Sequence, residues 1–311
     1  MTFAEYLSFI NREDELIIKH NNQYVATNIT ELNQEFINYL NFGGYPEAVL
    51  SPTVQGSSAR FIKSDIIDKV LLRDLPSLYG ISDIQELNRL FTTLAYNTGN
   101  EVSLDNLSKS SGVGKITLKR YIEYLEAAFL VRRIYRIDDS AKRFQRATSF
   151  KVYLTNPSMR AALFGYVDEN SAATGALAET AIFSQWFHSA DISQLHYARW
   201  KSGEVDLVAL DQFDQKPWWC VAIKWSDRVV QDHQEIAGLI KFAKDHHFSE
   251  PQLVTTKTIT HQFPVQGIEI RFKPSAEQVY TLGKNIVLGL QKNHQELTGS
   301  HQGMDLVRDN S

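Results

Sequence analysis

The stretch from Gly203 to Lys224 constrains this chain more than any other. Glu204 to Leu210 and Trp218 to Lys224 are two apolar runs of strand length, rich in β-branched, aliphatic and aromatic residues. The segment between them, from Asp211 to Pro217, is polar and ends in proline, which predicts a β-hairpin. Each run carries a charged group inside otherwise apolar sequence, Asp206 in the first and Lys224 in the second. A buried charge is costly without a partner, so adjacent strands are expected to bring these two together.

The rest of the chain must cover that hairpin, and 311 residues are enough for two or three compact units. The hydrophobic fraction of 43% is ordinary for a globular protein, and no apolar run reaches the length of a membrane span. Residues Met1 to Glu5 do not read as a secretory leader. Cys220 is the single cysteine, so an intrachain disulfide and a cysteine zinc cluster are both excluded, which fits a reducing cytoplasm. The formal net charge of −4 means that any contact with nucleic acid must come from a local patch.

In chain order, Thr2 to Ile10 reads as a capped amphipathic helix with Glu5 placed for a capping box. Helices follow at about Glu31–Leu40, Ser57–Leu72 and Ile84–Tyr96, with turns at Gly43-Gly44-Tyr45-Pro46 and near Pro76. Glu101 to Gly114 then reads as cap, helix and glycine turn, and Lys115 to Leu130 as a second helix with Leu118, Tyr121, Ile122, Leu125 and Phe129 on one face. This is a helix-turn-helix pattern. Val131 to Ile137 alternates as a strand, and the basic run that follows to Lys151 suits a wing. From Lys109 to Lys151 there are eleven Lys/Arg against four Asp/Glu, which makes Lys115, Lys119, Arg120, Arg132, Arg133 and Arg143 candidates for phosphate contact. The other reading is that this basic face meets acidic protein. Ser110 to Thr117 is not a phosphate loop, because the first glycine is missing, Ile116 follows the lysine, and a helix rather than a strand precedes it.

Beyond the wing, a strand is expected from Phe150 to Leu154, a helix over Gly175–Ser189, and strands over Gln194–Trp200, Glu204–Leu210 and Trp218–Lys224. A helix over about Val230–His246 and strands at Gln252–Thr255 and Ile268–Phe272 complete an αβββαβ order. With Asp206, Lys224 and Glu179 on the preceding helix, this part resembles the PD-(D/E)xK, or restriction-endonuclease-like, nuclease core. The whole order, including Phe3 to Leu7 and Gly43 to Glu47, is similar to the part of certain prokaryotic AAA-type ATPases that follows their ATPase module. The resemblance implies an α/β (α+β overall) fold in four parts: a helical region at 1–97, a winged helix at 98–150, a nuclease-like domain at 151–283, and a terminal helix and disordered tail at 284–311.

What the resemblance implies chemically is a magnesium- or manganese-dependent DNA endonuclease in the cytoplasm, working with a separate ATPase subunit, plausible in antiviral defence, with no membrane partner and with self-association left open. Asp206 and the Ile223 carbonyl would hold the cation, Glu179 its water shell, and Lys224 the attacking water. The family's middle carboxylate is absent, since Ala222 stands in its place. Three readings of Ala222 follow: a natural degenerate that binds without cutting, substitution by Glu204, or an alanine in place of a native glutamate, which the intact surrounding frame favours. A catalytically silent DNA-binding or assembly module is the alternative function. A structural ion pair between Asp206 and Lys224, and a plain winged-helix regulator, are the blander ones.

Overall fold

The computed structural model describes residues 1–21, 23–142, 149–187, 195–211 and 213–289. It is a mixed α/β protein with a helical N-terminal region and a nine-stranded mixed sheet. Helix α1 (Phe3–Phe9) starts with the expected capping box, in which the Thr2 side chain takes the Glu5 N–H and Glu5 takes the Thr2 N–H. A hairpin of β1 (Ile17–His20) and β2 (Gln23–Ala26) follows in sequence that reads only as polar, and α2 (Ile29–Phe42) comes next, capped by Asn28. A helical rod from Ser58 to Tyr79, wound as a π-helix through its middle, passes beyond the stop expected at Leu72 and ends at left-handed Gly80. Helix α3 (Ile84–Tyr96) has the expected bounds.

The winged helix is assembled from β3 (Glu101–Ser103), α4 (Leu104–Ser111), α5 (Lys115–Ala127), β4 (Val131–Ile137) and β5 (Ser149–Leu154). Gly112 ends α4 with a positive φ of 74°, a backbone setting in which glycine is the least strained residue. Strand β5 pairs antiparallel with both β3 and β4, closing the three-stranded sheet of a winged helix. Strand β4 then pairs in parallel with β6 (Leu195–Trp200), which fuses the winged helix to the rest of the sheet. The boundary expected between residues 150 and 151 therefore falls inside β5, a strand shared by both units.

Helices α6 (Ser158–Phe164) and α7 (Thr174–Trp186) precede a meander of β6, β7 (Gly203–Leu210) and β8 (Pro217–Ala222). Two short 3-10 turns and α8 (Ala237–Asp245) then cross over to β9 (Gln252–Thr256), which lies parallel to β8. The αβββαβ order is thus present as α7, β6, β7, β8, α8 and β9. A hairpin of β10 (His261–Val265) and β11 (Ile268–Pro274) extends the sheet, and a helix covers 275–289. The tail expected to be disordered lies outside the described residues. Among the described residues no helix is long and apolar enough to cross a membrane.

Apolar packing explains why the N-terminal region is not a separate body. Phe3, Tyr6, Phe36 and Tyr39 share one buried cluster with Leu177, Ala181 and Phe183 of α7 and with Leu207 and Val221 of the sheet. Polar contacts fix the register, because the Gln185 amide accepts from the Phe3 N–H at 3.2 Å and donates to the Tyr39 hydroxyl at 3.2 Å. The opposite face of the hairpin packs Val205, Val208, Cys220 and Ala222 against Leu239, Ile240 and Ala243 of α8. That approach depends on Gly238, where a Cβ would stand 2.4 Å from the Glu204 carbonyl oxygen. We expect Gly238→Ala to push α8 off β7 and lower unfolding free energy by about 1–3 kcal/mol, as measured by urea denaturation. Unchanged stability would mean that α8 is not held this closely.

Candidate functional site

The site begins with an irregularity in β7. His196 and Ala198 of β6 pair with Val208 and Val205, so β7 carries one extra residue between Val205 and Val208. Glu204 precedes this irregularity and Asp206 lies within it, and both carboxylates reach the same lysine ammonium. Glu179 reaches that ammonium from α7, where the residue is 9% exposed. The Thr98 hydroxyl, 2.9 Å from that of Thr180 and 3.0 Å from the Leu154 N–H, ties α7 to the start of the winged helix and to β5.

The residue that joins these carboxylates is Lys151 of β5, whose side chain is 4% exposed. Its ammonium lies 2.9 Å from Glu179 Oε1, 2.9 Å from Glu204 Oε1 and 3.5 Å from Asp206 Oδ1. It also sits over the Tyr197 ring at 5.5 Å. Tyr153, two residues along the same strand, donates its hydroxyl to Glu179 Oε1 at 2.6 Å. Asp206 Oδ2 accepts the Ile223 N–H at 2.8 Å and is 3.3 Å from Lys224 Nζ. The Lys224 backbone is pinned in turn by Thr255, which accepts its N–H at 2.7 Å and donates to its carbonyl at 2.9 Å. These groups line a cleft of about 470 Å³ that Glu101, Arg199 and Glu235 also border.

The protonation states follow from this geometry. Burial opposes the charge on Lys151, but Glu179, Asp206 and Glu204 outweigh it and hold its pKa above the ordinary lysine value. Burial also works against Asp206, yet Lys151, Lys224 and the Ile223 N–H together hold its pKa below normal. Glu179 goes the other way, since burial raises its pKa and Lys151 offsets this only in part. Lys224 is raised, chiefly by Asp206.

Of the residues singled out from sequence, Glu179, Asp206 and Lys224 do meet in one cleft. Lys224 lies two residues past the end of β8 rather than within it. Ala222 is buried in the apolar cluster under α8 and offers no donor. Ile223 turns its N–H to Asp206. Glu204 does share the face of Asp206, but its carboxylate pairs with Lys151 and lies 3.7 Å from Arg199. Among the described residues no group of three or more His, Cys, Asp or Glu could hold a metal ion. The arrangement does not fit a magnesium or manganese centre, because its three carboxylates already share a buried ammonium and Asp206 also carries Ile223 and Lys224.

The basic candidates divide by exposure. Lys119 and Arg120 are exposed on α5, and Lys115, also exposed, pairs with Asp105. Arg133 is taken up by the fold instead: its Nε and a terminal nitrogen bind Glu126, its N–H bonds Glu126 Oε1 at 2.9 Å, and its side chain is 10% exposed. Arg132 is half-buried, with its guanidinium 5.0 Å from the Phe129 ring centre. Arg143 lies outside the described residues. Sequence reasoning missed Lys151 and Tyr153, although a lysine and a tyrosine alternating in the apolar run Phe150-Lys151-Val152-Tyr153-Leu154 carry the same signal that marked Asp206. Asn156 caps a turn by accepting the Ser158 N–H at 2.9 Å and packs over Gly44.

A family model described as a domain of unknown function (DUF8612) matches residues 33–170. That span includes the winged helix and Lys151 but stops short of Glu179, Asp206 and Lys224. No curated protein and no solved structure matches the chain.

Replacing Lys151 by Met keeps its length and removes its charge, leaving three carboxylates to repel one another. We expect the variant to lose about 3–5 kcal/mol at pH 8, the cost of breaking a buried ion pair from one side. Stripped of the ammonium, the carboxylates bind protons more readily in the folded than in the unfolded state, so the deficit shrinks as pH falls. Denaturant titrations at pH 8 and pH 5 check this, and a deficit that grows towards pH 5 would contradict it.

Proposed function

We propose that this chain is a nucleic-acid-binding module on a nuclease-like frame in which metal-dependent phosphodiester hydrolysis has been given up. The observation that carries the reading is the Lys151 ammonium seated among Glu179, Glu204 and Asp206. Those oxygens are the ones a catalytic cation would need, and a lysine bound covalently to the fold does not leave by dilution or chelation. Ala222 adds no carboxylate to compete for a metal. The cleft's charged lining is mostly carboxylate, so without a divalent cation it repels a phosphate backbone.

Binding is assigned to the winged helix instead. Lys119 and Arg120 are exposed on the second helix of the helix-turn-helix, the element that enters a groove in proteins of this architecture. Their role is electrostatic, so binding weakens with salt. A separate ATPase subunit, implied by the resemblance, would be the partner that acts on what this module holds. The second reading, an active magnesium-dependent endonuclease, draws on Glu179, Asp206 and Lys224 sharing one cleft. It requires Lys151 to vacate its seat.

Two measurements on the full chain separate these readings. Supercoiled plasmid incubated with magnesium or manganese is expected to stay intact, while electrophoretic shift assays detect DNA binding that falls about tenfold in Lys119→Glu/Arg120→Glu. Cation-dependent nicking that disappears in Lys224→Ala would overturn the proposal in favour of an enzyme. Failure of the chain to bind DNA at low salt would remove the nucleic-acid role.

A further inference from the structure

A second charged cavity lies under the β1–β2 hairpin, between β11 and the helix at 275–289. Its volume is about 200 Å³, and Arg271 and Lys273 of β11 line it with Gln23, Trp219, Leu253 and Thr281 among their neighbours. No carboxylate belongs to its lining, in a chain whose formal charge is −4. A second opening of about 180 Å³ shares Gln23, Arg271 and Lys273, so the same two cations face both spaces, and Glu277 borders this one alone.

Lys273 is the reverse of Lys151. Its ammonium donates to the Thr281 hydroxyl at 2.8 Å, and that hydroxyl donates onward to the Glu277 carbonyl at 2.7 Å. The ammonium is thereby aimed but not neutralised, and among the described residues it forms no ion pair. Burial without a counter-ion brings its pKa down to about 8, with Glu277 opposing the shift and Arg271 adding to it. Arg271 is oriented by Gln262, which accepts its Nε–H at 3.1 Å and donates to Glu269 at 3.1 Å. A fold that shields one ammonium, places a guanidinium on the same strand face and leaves the 200 Å³ cavity without a carboxylate among its described lining residues has left room there for an anion.

We infer that Lys273 and Arg271 form a binding site for a phosphorylated small molecule. The guanidinium fork and the ammonium point charge are complementary to a phosphate dianion, and Gln23 and Gln278 add amide donors at the rim. Trp219, Leu253 and Pro251 give an apolar wall for the body attached to the phosphate. The space is below the usual range for a drug-sized ligand, so the phosphate end is the part enclosed.

Isothermal titration of the full chain at pH 7 with inorganic phosphate and, separately, with AMP tests the site. We expect saturable binding that weakens about tenfold or more in Lys273→Met and in Arg271→Gln, with the thermal transitions of both variants retained. Tighter binding of AMP than of phosphate supports the site with its apolar wall in use, and equal binding supports a site for the phosphate alone. Absence of saturable binding of either probe up to about 10 mM, or binding unchanged in Lys273→Met and Arg271→Gln, overturns the inference.

Discussion

One buried ammonium ties together elements that are far apart in the chain. Lys151 stands on the strand that closes the winged helix, and its three carboxylate partners come from α7 and β7. Desolvating a lysine costs several kcal/mol, and so does desolvating each carboxylate, so this contact persists only because all of them are satisfied at once. Tyr153 contributes a further donor to Glu179, and Ile223 and Lys224 hold the far side of Asp206. The placement of the winged helix against the α7–β7 layer is thereby written into electrostatics as well as into the shared sheet.

The same contact underlies the proposed loss of hydrolysis. A hydrolytic centre needs oxygen ligands free to bind a cation and to share water with it. Here the oxygens are spent within the fold. Lys224, which the resemblance assigns to water activation, neutralises Asp206 from the solvent side while its backbone is fastened by Thr255 and Ser275. In the proposed reading this mostly acidic cleft serves as a scaffold for the winged helix.

Identical residue types meet different fates on the winged helix. Arg133 and Arg120 are both arginines in the basic stretch, yet Arg133 is consumed by Glu126 and stacks near Phe150, while Arg120 faces solvent. Lys151 and Lys273 differ in the same manner, one held in ion pairs by three carboxylates and the other bonded to the Thr281 hydroxyl. Composition counts all four alike. Only their surroundings separate a structural cation from one available to a ligand.

Local chemistry in the sequence was enough for most of the architecture. A continuous apolar run of strand length over Glu204–Leu210 and helical spacing over Ile84–Tyr96 mark their elements locally, and the αβββαβ order followed from signals of this kind. Asp206 and Lys224 were legible because a charge in an apolar run needs a reason to be there, whereas Glu179 was singled out by the resemblance alone. The β1–β2 hairpin was not legible, since its strands are short and Ile17 is their one buried residue, so they lack an apolar period. Nor was the role of Lys151. Its three partners lie 28, 53 and 55 residues away along the chain, and no local pattern records that a strand of the winged helix will lie beside them. The sequence by itself determined most of the elements and that a charge such as Asp206 inside an apolar run would need a partner; the tertiary structure decided which charges are buried and which of them meet, because ion pairing depends on distance in space and not on distance along the chain.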